Sequence, residues 1–304
     1  MTAWNFVAWI FSPTIALIVG FIPAYLVLWT WQQKRQRMQR KSPLTKDLLR
    51  PPGHSLQQNI MELSDDLAYS AAYVVAIPLL VYIAIVSKPY FGGGKESIIV
   101  DLAIAVAGFI AIVWIARRMA GFAEKRRRYM MGLSGELAAG EELNQLMLSG
   151  CRVFHDVPGK SGNIDHVVVA PTGVFSLETK VREKHKDADR NWEVDIDYDR
   201  GVLKFPGWEE PIPLEQAQGQ AKELSEWLSK AVGAPVKVQP IIALPGWYIK
   251  DKIGRRTVPV INPAKPQAFF LKQQNESLTP QRIEQIAYQL DQVCRDVEPV
   301  NKEK

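Results

Sequence analysis

Two acidic residues and a lysine have a spacing that suits the hydrolysis of a phosphodiester bond. Asp165 is followed thirteen residues later by Glu178, and Lys180 comes two residues after that. Two carboxylates held close together repel each other, and a divalent cation between them removes that repulsion. Carboxylate oxygens with open water positions suit magnesium or manganese. Such an ion polarises a phosphodiester and lowers the pKa of an attacking water, while a lysine holds or deprotonates that water and offsets phosphate charge.

These side chains form one site only if two neighbouring strands pair in a suitable register. Residues two apart on a strand share a face, so Glu178 and Lys180 project together. An even-numbered tight turn in the segment 170–173 puts Asp165 directly opposite Glu178. The reverse face then collects apolar residues, as one packed side of a sheet requires. These residues are Ile164, Val168, Phe175 and Leu177.

Two alternatives to this interpretation stay open at this point. A type I turn with a glycine bulge at Gly173 shifts the pairing by one residue and sets Asp165 opposite Thr179. The other alternative is a surface strand with mixed charges, because two acids and a lysine at this spacing form a weak pattern by themselves.

The segments around the acidic pair are typical of an α/β domain. Helical periodicity covers 134–149, 213–231 and 279–296, and the last begins with Thr279 as its N-cap and Pro280 at its first position. Strand-like runs of alternating or β-branched residues lie between the helices. They cover 151–157, 163–170, 173–180, a hairpin of 191–197 with 201–205, 236–244 and 257–261. This order predicts one mixed sheet with helices on both faces.

The first third of the chain is too apolar for a soluble domain. No charged residue precedes Lys34. Three segments have the length of about 20 residues that a helix needs to cross a bilayer. They lie at about 4–31, 67–87 and 98–116. The sequence therefore predicts a membrane domain over 1–131, with three transmembrane helices, and a second domain over 132–304.

Basic residues between the apolar segments predict the orientation in the membrane. The segment 32–66 contains seven lysines and arginines, and the segment 117–128 contains six, whereas the N-terminal stretch has none and the loop 88–97 has two. Loops rich in lysine and arginine stay in the cytoplasm. The N-terminus is therefore expected outside and the C-terminal domain inside, with the bacterial inner membrane as the location.

The cysteines exclude two classes of small domain. Among 304 residues there are only two, Cys151 and Cys294, without a CxxC motif or a Cys/His cluster. A disulfide scaffold and a structural zinc site both need more ligating residues. Both cysteines are expected to be reduced thiols in the core.

Four short motifs resemble those of a known nuclease family. They are Gly132–Glu136 (GLSGE), Asn163–His166 (NIDH), Gly173–Lys180 (GVFSLETK) and Pro213–Ala217 (PLEQA). In this order and spacing, the region of about 132–245 resembles the nuclease-related domain (NERD). That domain is a branch of the PD-(D/E)XK, restriction-endonuclease-like superfamily.

The resemblance implies a restriction-endonuclease-like αβββαβ core and magnesium-dependent cleavage or processing of DNA. It implies metal binding by Asp165 and Glu178, an acid of the first helix at Glu136 that joins them, a catalytic lysine at Lys180, and Gln216 on a helix beside the site. The residues alone indicate Asp165, Glu178 and Lys180. Without the resemblance, Glu136 reads as an acid in the first turn of a helix and Gln216 as an exposed helix amide.

The segment after the lysine departs from the family pattern. Residues 181–186 (VREKHK) stand where the family usually has a small polar residue and a turn with glycine. This segment is either a basic rim for a phosphate backbone or a solvated loop. In the register above, His166 points to the reverse face beside Leu177, which favours a packing or hydrogen-bonding role over that of a general base.

Two functional hypotheses follow. The first is a membrane-anchored nuclease that uses magnesium or manganese and acts on DNA at the cytoplasmic face. The second is a non-catalytic accessory subunit of a membrane DNA-transfer or secretion complex, with other subunits as partners. The acidic pair and lysine favour the first. The charge from residue 134 onward, 22 basic against 25 acidic residues, favours the second, because non-specific DNA binding usually relies on a positive field.

Overall fold

The computed structural model describes eight stretches of the chain. They are residues 22–23, 25–34, 45–91, 97–160, 162–184, 192–256, 258–273 and 277–299. Most of the first predicted span, 4–31, lies outside these stretches, although the described positions from 22 to 34 are helical. The predicted first span therefore stays a prediction.

Within the described residues, five α-helices have assigned bounds. They are α1 (His54–Phe91), α2 (Ile98–Asn144), α3 (Leu214–Val232), α4 (Pro266–Phe270) and α5 (Pro280–Cys294). Among the described residues, two segments are long and apolar enough to cross a bilayer, His54–Val86 and Ile98–Ser149, by length and composition. They contain the predicted second and third spans.

Helix α2 is longer than the sequence pattern predicts. A span that ends near residue 116 and a separate helix that begins at 134 are in fact parts of one helix of 47 residues. The segment between them consists mainly of arginine, lysine, methionine and alanine without proline, and these residues favour helix continuation. A short 3₁₀ helix, Gln145–Ser149, follows and ends at Gly150 with a left-handed φ of 80°.

Eleven strands are assigned in the described residues. In chain order they are β1 (Leu48–Leu49), β2 (Arg152–Val157), β3 (Ile164–Ala170), β4 (Gly173–Thr179), β5 (Glu193–Asp197), β6 (Val202–Phe205), β7 (Trp208–Pro211), β8 (Val238–Ala243), β9 (Tyr248–Ile253), β10 (Val260–Ile261) and β11 (Arg295–Val297). They form a five-stranded sheet in the order β10-β8-β4-β3-β2, a four-stranded sheet in the order β7-β6-β5-β9, and the pair β1-β11. The prediction of one mixed sheet is therefore wrong, because β5 pairs with β9, a strand that the sequence analysis missed.

The central sheet has the predicted succession of elements. Helix α2 is followed by the antiparallel strands β2, β3 and β4, then by α3 and by β8, which pairs parallel to β4. The strands β5, β6 and β7 are inserted between β4 and α3. This is the αβββαβ order, so the α/β class is confirmed.

Apolar side chains cover both faces of β3 and β4. On one face, Val167 and Val174 pack with residues of α3 and α5, among them Leu224 and Ile286. On the other face, a second cluster packs against the end of α2. It includes Leu143, Val168, Phe175 and Leu177. Burial of apolar surface contributes about 25 cal/mol per Å² to stability. Because both faces of the two strands are buried, this contribution favours a single register.

The expected position of Ile164 is wrong. It packs with Val157 and Val167 and not with the reverse-face cluster. The cause lies on β2, where Asp156 has a φ of 49°, which is unusual for a residue other than glycine. The pairing of β2 with β3 is interrupted at that position, and the alternation of faces changes there.

The chain divides into two compact units. One comprises Met1–Ser42 and Met61–Arg126, and the other comprises Pro43–Ile60 and Arg127–Lys304. In the second unit, β1 pairs antiparallel with β11, so a segment before α1 is part of the same unit as the central sheet. Both cysteines are free and buried in this unit, as predicted.

Candidate active site

The pairing of β3 with β4 brings Asp165 and Glu178 to neighbouring positions. The pairs run from Ala170 with Gly173 to His166 with Leu177 without a shift. The next position in this register, one residue beyond the last assigned pair, puts Asp165 opposite Glu178, as the tight turn predicts. The alternative register with a glycine bulge, which places Thr179 opposite Asp165, is therefore wrong.

Asp165 is held by the backbone of the neighbouring strand. Its Oδ2 accepts a hydrogen bond from the Thr179 N–H at 2.6 Å. Burial raises the pKa of Asp165 well above its usual value, and the carboxylates of Glu178 and Glu136 raise it further. The position of Asp165 thus favours a neutral carboxyl group unless positive charge comes near it.

Both carboxylate oxygens of Glu178 have a partner. The side chain is buried, with 5% of its surface exposed, and Oε1 accepts from the Lys180 Nζ at 2.7 Å. Lys180 Nζ also donates to Oε1 of Gln216 at 3.1 Å. The structure therefore brings three of the residues in the predicted site, Glu178, Lys180 and Gln216, into one hydrogen-bonded chain.

Gln220 is a site residue that the sequence analysis missed. Its Nε2 donates to Oε2 of Glu178 at 2.9 Å and to the carbonyl oxygen of Asn163 at 3.3 Å. Gln216 and Gln220 are four residues apart on α3, so they lie on the same face, next to the stripe that buries Ala217 and Ala221. The spacing of four residues between these two glutamines could have indicated Gln220 from the sequence. An amide beside an apolar stripe is, however, also typical of an ordinary surface residue.

Glu136 lies on α2 close enough to the other acids to interact with them. Burial raises the pKa of Glu136 to about 7, and the carboxylates of Asp156 and Glu178 contribute. A hydrogen bond from the Gly53 backbone and the charge of Lys180 act in the opposite direction. The three predicted acids thus belong to one electrostatic cluster.

Residues just before α1 and in its first turn reach this cluster. Ser55 Oγ donates to Oδ2 of Asp156 at 2.7 Å, and Asn163 Nδ2 donates to Ser55 Oγ at 2.6 Å. Arg50 forms an ion pair with the same aspartate at 3.2 Å and another with Asp296 at 2.6 Å. The sequence analysis missed these contacts because more than 100 residues separate the partners along the chain.

Val181, the residue that follows Lys180, packs closely against α2. A Cβ atom at Gly135 would overlap the side chain of Val181. Glycine at position 135 is therefore needed for the chain after Lys180 to lie against the helix that carries Glu136.

The donor set fits a magnesium or manganese ion held by few protein ligands. Among the described residues, no group of three or more histidines, cysteines or acids is placed to hold a metal ion, so Glu136 does not join Asp165 and Glu178 in a three-acid metal site. Magnesium is usually bound through one or two carboxylates, with waters and substrate phosphates as the remaining ligands. Asp165 and Glu178 are two such carboxylates, and after burial the charge of Glu178 is the next largest cause of the raised pKa of Asp165.

The loop after Lys180 is described only as far as Lys184. Arg182 Nε donates to Oε2 of Glu210 at 2.6 Å, so this guanidinium is already paired with a carboxylate. The remainder of the predicted basic segment, from His185 to Arg190, lies outside the described residues.

Two histidines form a buried pair on the face away from Glu178. His166 pairs with Leu177 across the strands, as the register predicts, and its Nδ1 lies 2.8 Å from Nδ1 of His155. His155 Nε2 lies 3.0 Å from Oδ1 of Asn144. Burial lowers the pKa of His155 to about 4. These contacts confirm the structural role expected for His166.

Comparison with known proteins gives one match. No curated protein and no solved structure matches the chain significantly. A family model does match, over nearly the same region as the predicted resemblance and with the αβββαβ core, Asp165, Glu178 and Lys180 inside it. Residues 131–245 match the nuclease-related domain, NERD.

Proposed function

We propose that this protein is a metal-dependent nuclease that cleaves or processes DNA. The observation that carries the proposal is the arrangement of Asp165, Glu178 and Lys180 on two adjacent strands, with the lysine ammonium 2.7 Å from Glu178. The match of residues 131–245 to a nuclease-related domain supports the same chemistry.

Each residue has a role that follows from its position. Asp165 and Glu178 would hold a magnesium or manganese ion, and that ion would supply the positive charge needed to polarise the phosphodiester and to activate water. Lys180 offsets charge on the phosphate. Gln216 and Gln220 orient Lys180 and Glu178 through hydrogen bonds of 3.1 and 2.9 Å. Glu136 adds negative charge to the same cluster.

The location that we propose for this activity is the cytoplasmic face of a membrane. Two helices of suitable length and apolar composition support anchoring. The basic residues in 32–66 and 117–128 support an orientation with the nuclease-related domain inside. DNA and the lipid bilayer are the partners of this proposal.

One observation favours the second candidate, a non-catalytic accessory subunit of a membrane DNA-transfer or secretion complex. Both oxygens of Glu178 are engaged, by Lys180 and by Gln220, so the carboxylate already has partners without a metal. An inherited nuclease fold that serves as an interaction module would retain such a network.

A cleavage assay on the full chain separates the two candidates. The protein in detergent micelles is incubated with linear, circular and single-stranded DNA, with magnesium, with manganese and with a chelator. The nuclease proposal expects cleavage with either ion and none with the chelator. Absence of cleavage under every condition by a folded protein would favour the accessory subunit.

A further inference from the structure

Residues 50–55, which we call the arm, pack closely against α2. A Cβ atom at Gly140 of α2 would overlap the ring of Pro52. A Cβ atom at Gly53, which has a left-handed φ of 69°, would overlap the side chain of Leu133 on the same helix. The arm can approach α2 this closely because two of the contacting positions are glycines.

The arm donates hydrogen bonds to two buried acids. The backbone N–H of Gly53 donates to the carboxylate of Glu136. Arg50 Nη1 donates to the carbonyl oxygen of Asp156 at 2.9 Å and to its Oδ2 at 3.2 Å, and Ser55 Oγ donates to the same Oδ2 at 2.7 Å. Asp156 is only 4% exposed, and a buried carboxylate without a cation or donor beside it is costly. The arm therefore supplies the groups that stabilise Asp156 in its buried position.

Asn163 connects this network to the candidate active site. Its Nδ2 donates to Ser55 Oγ at 2.6 Å and lies 3.3 and 3.2 Å from the two carboxylate oxygens of Asp156. Its carbonyl oxygen accepts from Gln220 Nε2 at 3.3 Å, and the same nitrogen donates to Oε2 of Glu178 at 2.9 Å. A continuous series of hydrogen bonds thus leads from the arm to Glu178.

The position of Asn163 also affects Asp165. Asn163 directly precedes β3, and Asp165 is the second residue of that strand. A side chain that is fixed just before a strand limits where the first residues of the strand can lie. The arm therefore acts on both carboxylates that we propose as metal ligands.

We infer that Arg50 and Ser55 are positioning residues of the candidate active site, although both lie outside the region 131–245 that matches the family. They hold Asn163 and thereby Gln220, so that Glu178 keeps the orientation in which it binds a metal ion. This inference deepens the proposed nuclease function and rests on it. The site is complete only when the arm is in place.

The metal affinity of the full chain tests the inference. The protein in detergent micelles is titrated with manganese in a calorimeter. Arg50→Gln and Ser55→Ala should each weaken binding by roughly two- to thirtyfold, the range for residues that affect a site through others. Ser55→Thr keeps the hydroxyl group and should bind manganese like the parent.

Combination with Gln220→Ala separates a positioning role from a general loss of stability. If Ser55 acts through Gln220, the loss of manganese affinity caused by Ser55→Ala should largely disappear in the Gln220→Ala background. A change that only loosens the fold would weaken binding by the same factor in both backgrounds.

Arg295→Gln is the matched control. Arg295 Nη1 donates to the carbonyl oxygen of Asp47 at 3.3 Å, so this arginine contacts the chain just before the arm. It forms no hydrogen bond with Asp156 or Asn163 in the described part of the chain. Arg295→Gln should therefore bind manganese like the parent.

Hydrogen exchange gives a second measurement, which needs no metal. The backbone amides of 163–166 should exchange faster in Arg50→Gln and in Ser55→Ala than in the parent or in Arg295→Gln, because the arm no longer holds Asn163.

Three results would overturn the inference. They are parent manganese affinity in both arm variants, an equal effect of Ser55→Ala in the two backgrounds, and unchanged exchange of 163–166. A parent protein that binds no manganese would contradict the proposed nuclease instead. The exchange measurement would then decide by itself whether the arm holds Asn163.

Discussion

The Nζ of Lys180 lies 2.7 Å from Oε1 of Glu178, two residues earlier in the chain, and Glu178 is the more deeply buried of the two. A buried carboxylate is costly unless a cation or a hydrogen-bond donor compensates it. This ion pair thus stabilises the negative charge of Glu178 at the end of β4.

Replacement of the lysine should separate catalysis from metal binding. We expect Lys180→Ala to lose turnover but to retain manganese binding, because an ammonium group is not a metal ligand and its loss leaves Glu178 free. Calorimetric titration with manganese and a cleavage assay measure the two properties. Lys230→Ala is the control for loss of a lysine. Parent-like turnover, or loss of manganese binding, would contradict this role for Lys180.

Gln220 should act through Glu178. Gln220→Ala removes the donor 2.9 Å from Oε2 of that carboxylate. Loss of a group that orients a metal ligand typically costs about 10- to 100-fold in metal affinity or activity. Gln218, which is exposed on the same helix, provides the matched control Gln218→Ala. Equal metal affinity and turnover in the two variants would show that Gln220 does not orient Glu178.

The close packing at Gly135 gives a prediction on stability. Gly135→Ala should destabilise the protein by about 1–3 kcal/mol, the usual cost of overpacking, because the new methyl group meets Val181. The double variant Gly135→Ala/Val181→Ala should recover part of this loss. Gly219→Ala is the control, since that helical position has open space, and it should stabilise by roughly 0.5–1 kcal/mol. Thermal unfolding compares the parent, Gly135→Ala, Val181→Ala, the double variant and Gly219→Ala, and additive effects of the changes at positions 135 and 181 would argue against the contact.

Part of the candidate site can be predicted from the sequence. The turn between Ala170 and Gly173 and the apolar reverse face specify the register, so Asp165 and Glu178 are found without a structure. Gln220 and Arg50 are not found, because an amide on a helix and an arginine in a proline-rich segment have no local signature of their distant partners. The strand β9, which pairs with β5, was missed because its lysines and aspartate do not give the pattern expected of a strand.

Acid should weaken the fold through His155. With a folded pKa of about 4, below the usual 6.5, the unfolded chain binds more protons between these values. The contribution of His155 is therefore complete above pH 6.5 and is lost as the pH falls towards 4. The raised pKa of Glu136 has the opposite effect on the pH dependence of stability. The measurement therefore compares the variant with the parent. The fall in melting temperature from pH 7 to pH 5 should be smaller in His155→Gln than in the parent, and an equal or larger fall would contradict the assignment.

The most direct measurement of the central claim compares Asp165→Asn with Ser176→Ala in the metal-dependent cleavage of DNA. Asp165→Asn should abolish cleavage while the protein stays folded, because it removes one of two carboxylates proposed to hold the ion. Ser176 is buried on β4, the strand that carries Glu178, and its hydroxyl has no hydrogen-bond partner among the described residues, so Ser176→Ala should cleave like the parent. Cleavage by Asp165→Asn at the parent rate, or magnesium and manganese binding that does not depend on both Asp165 and Glu178, would contradict the nuclease mechanism.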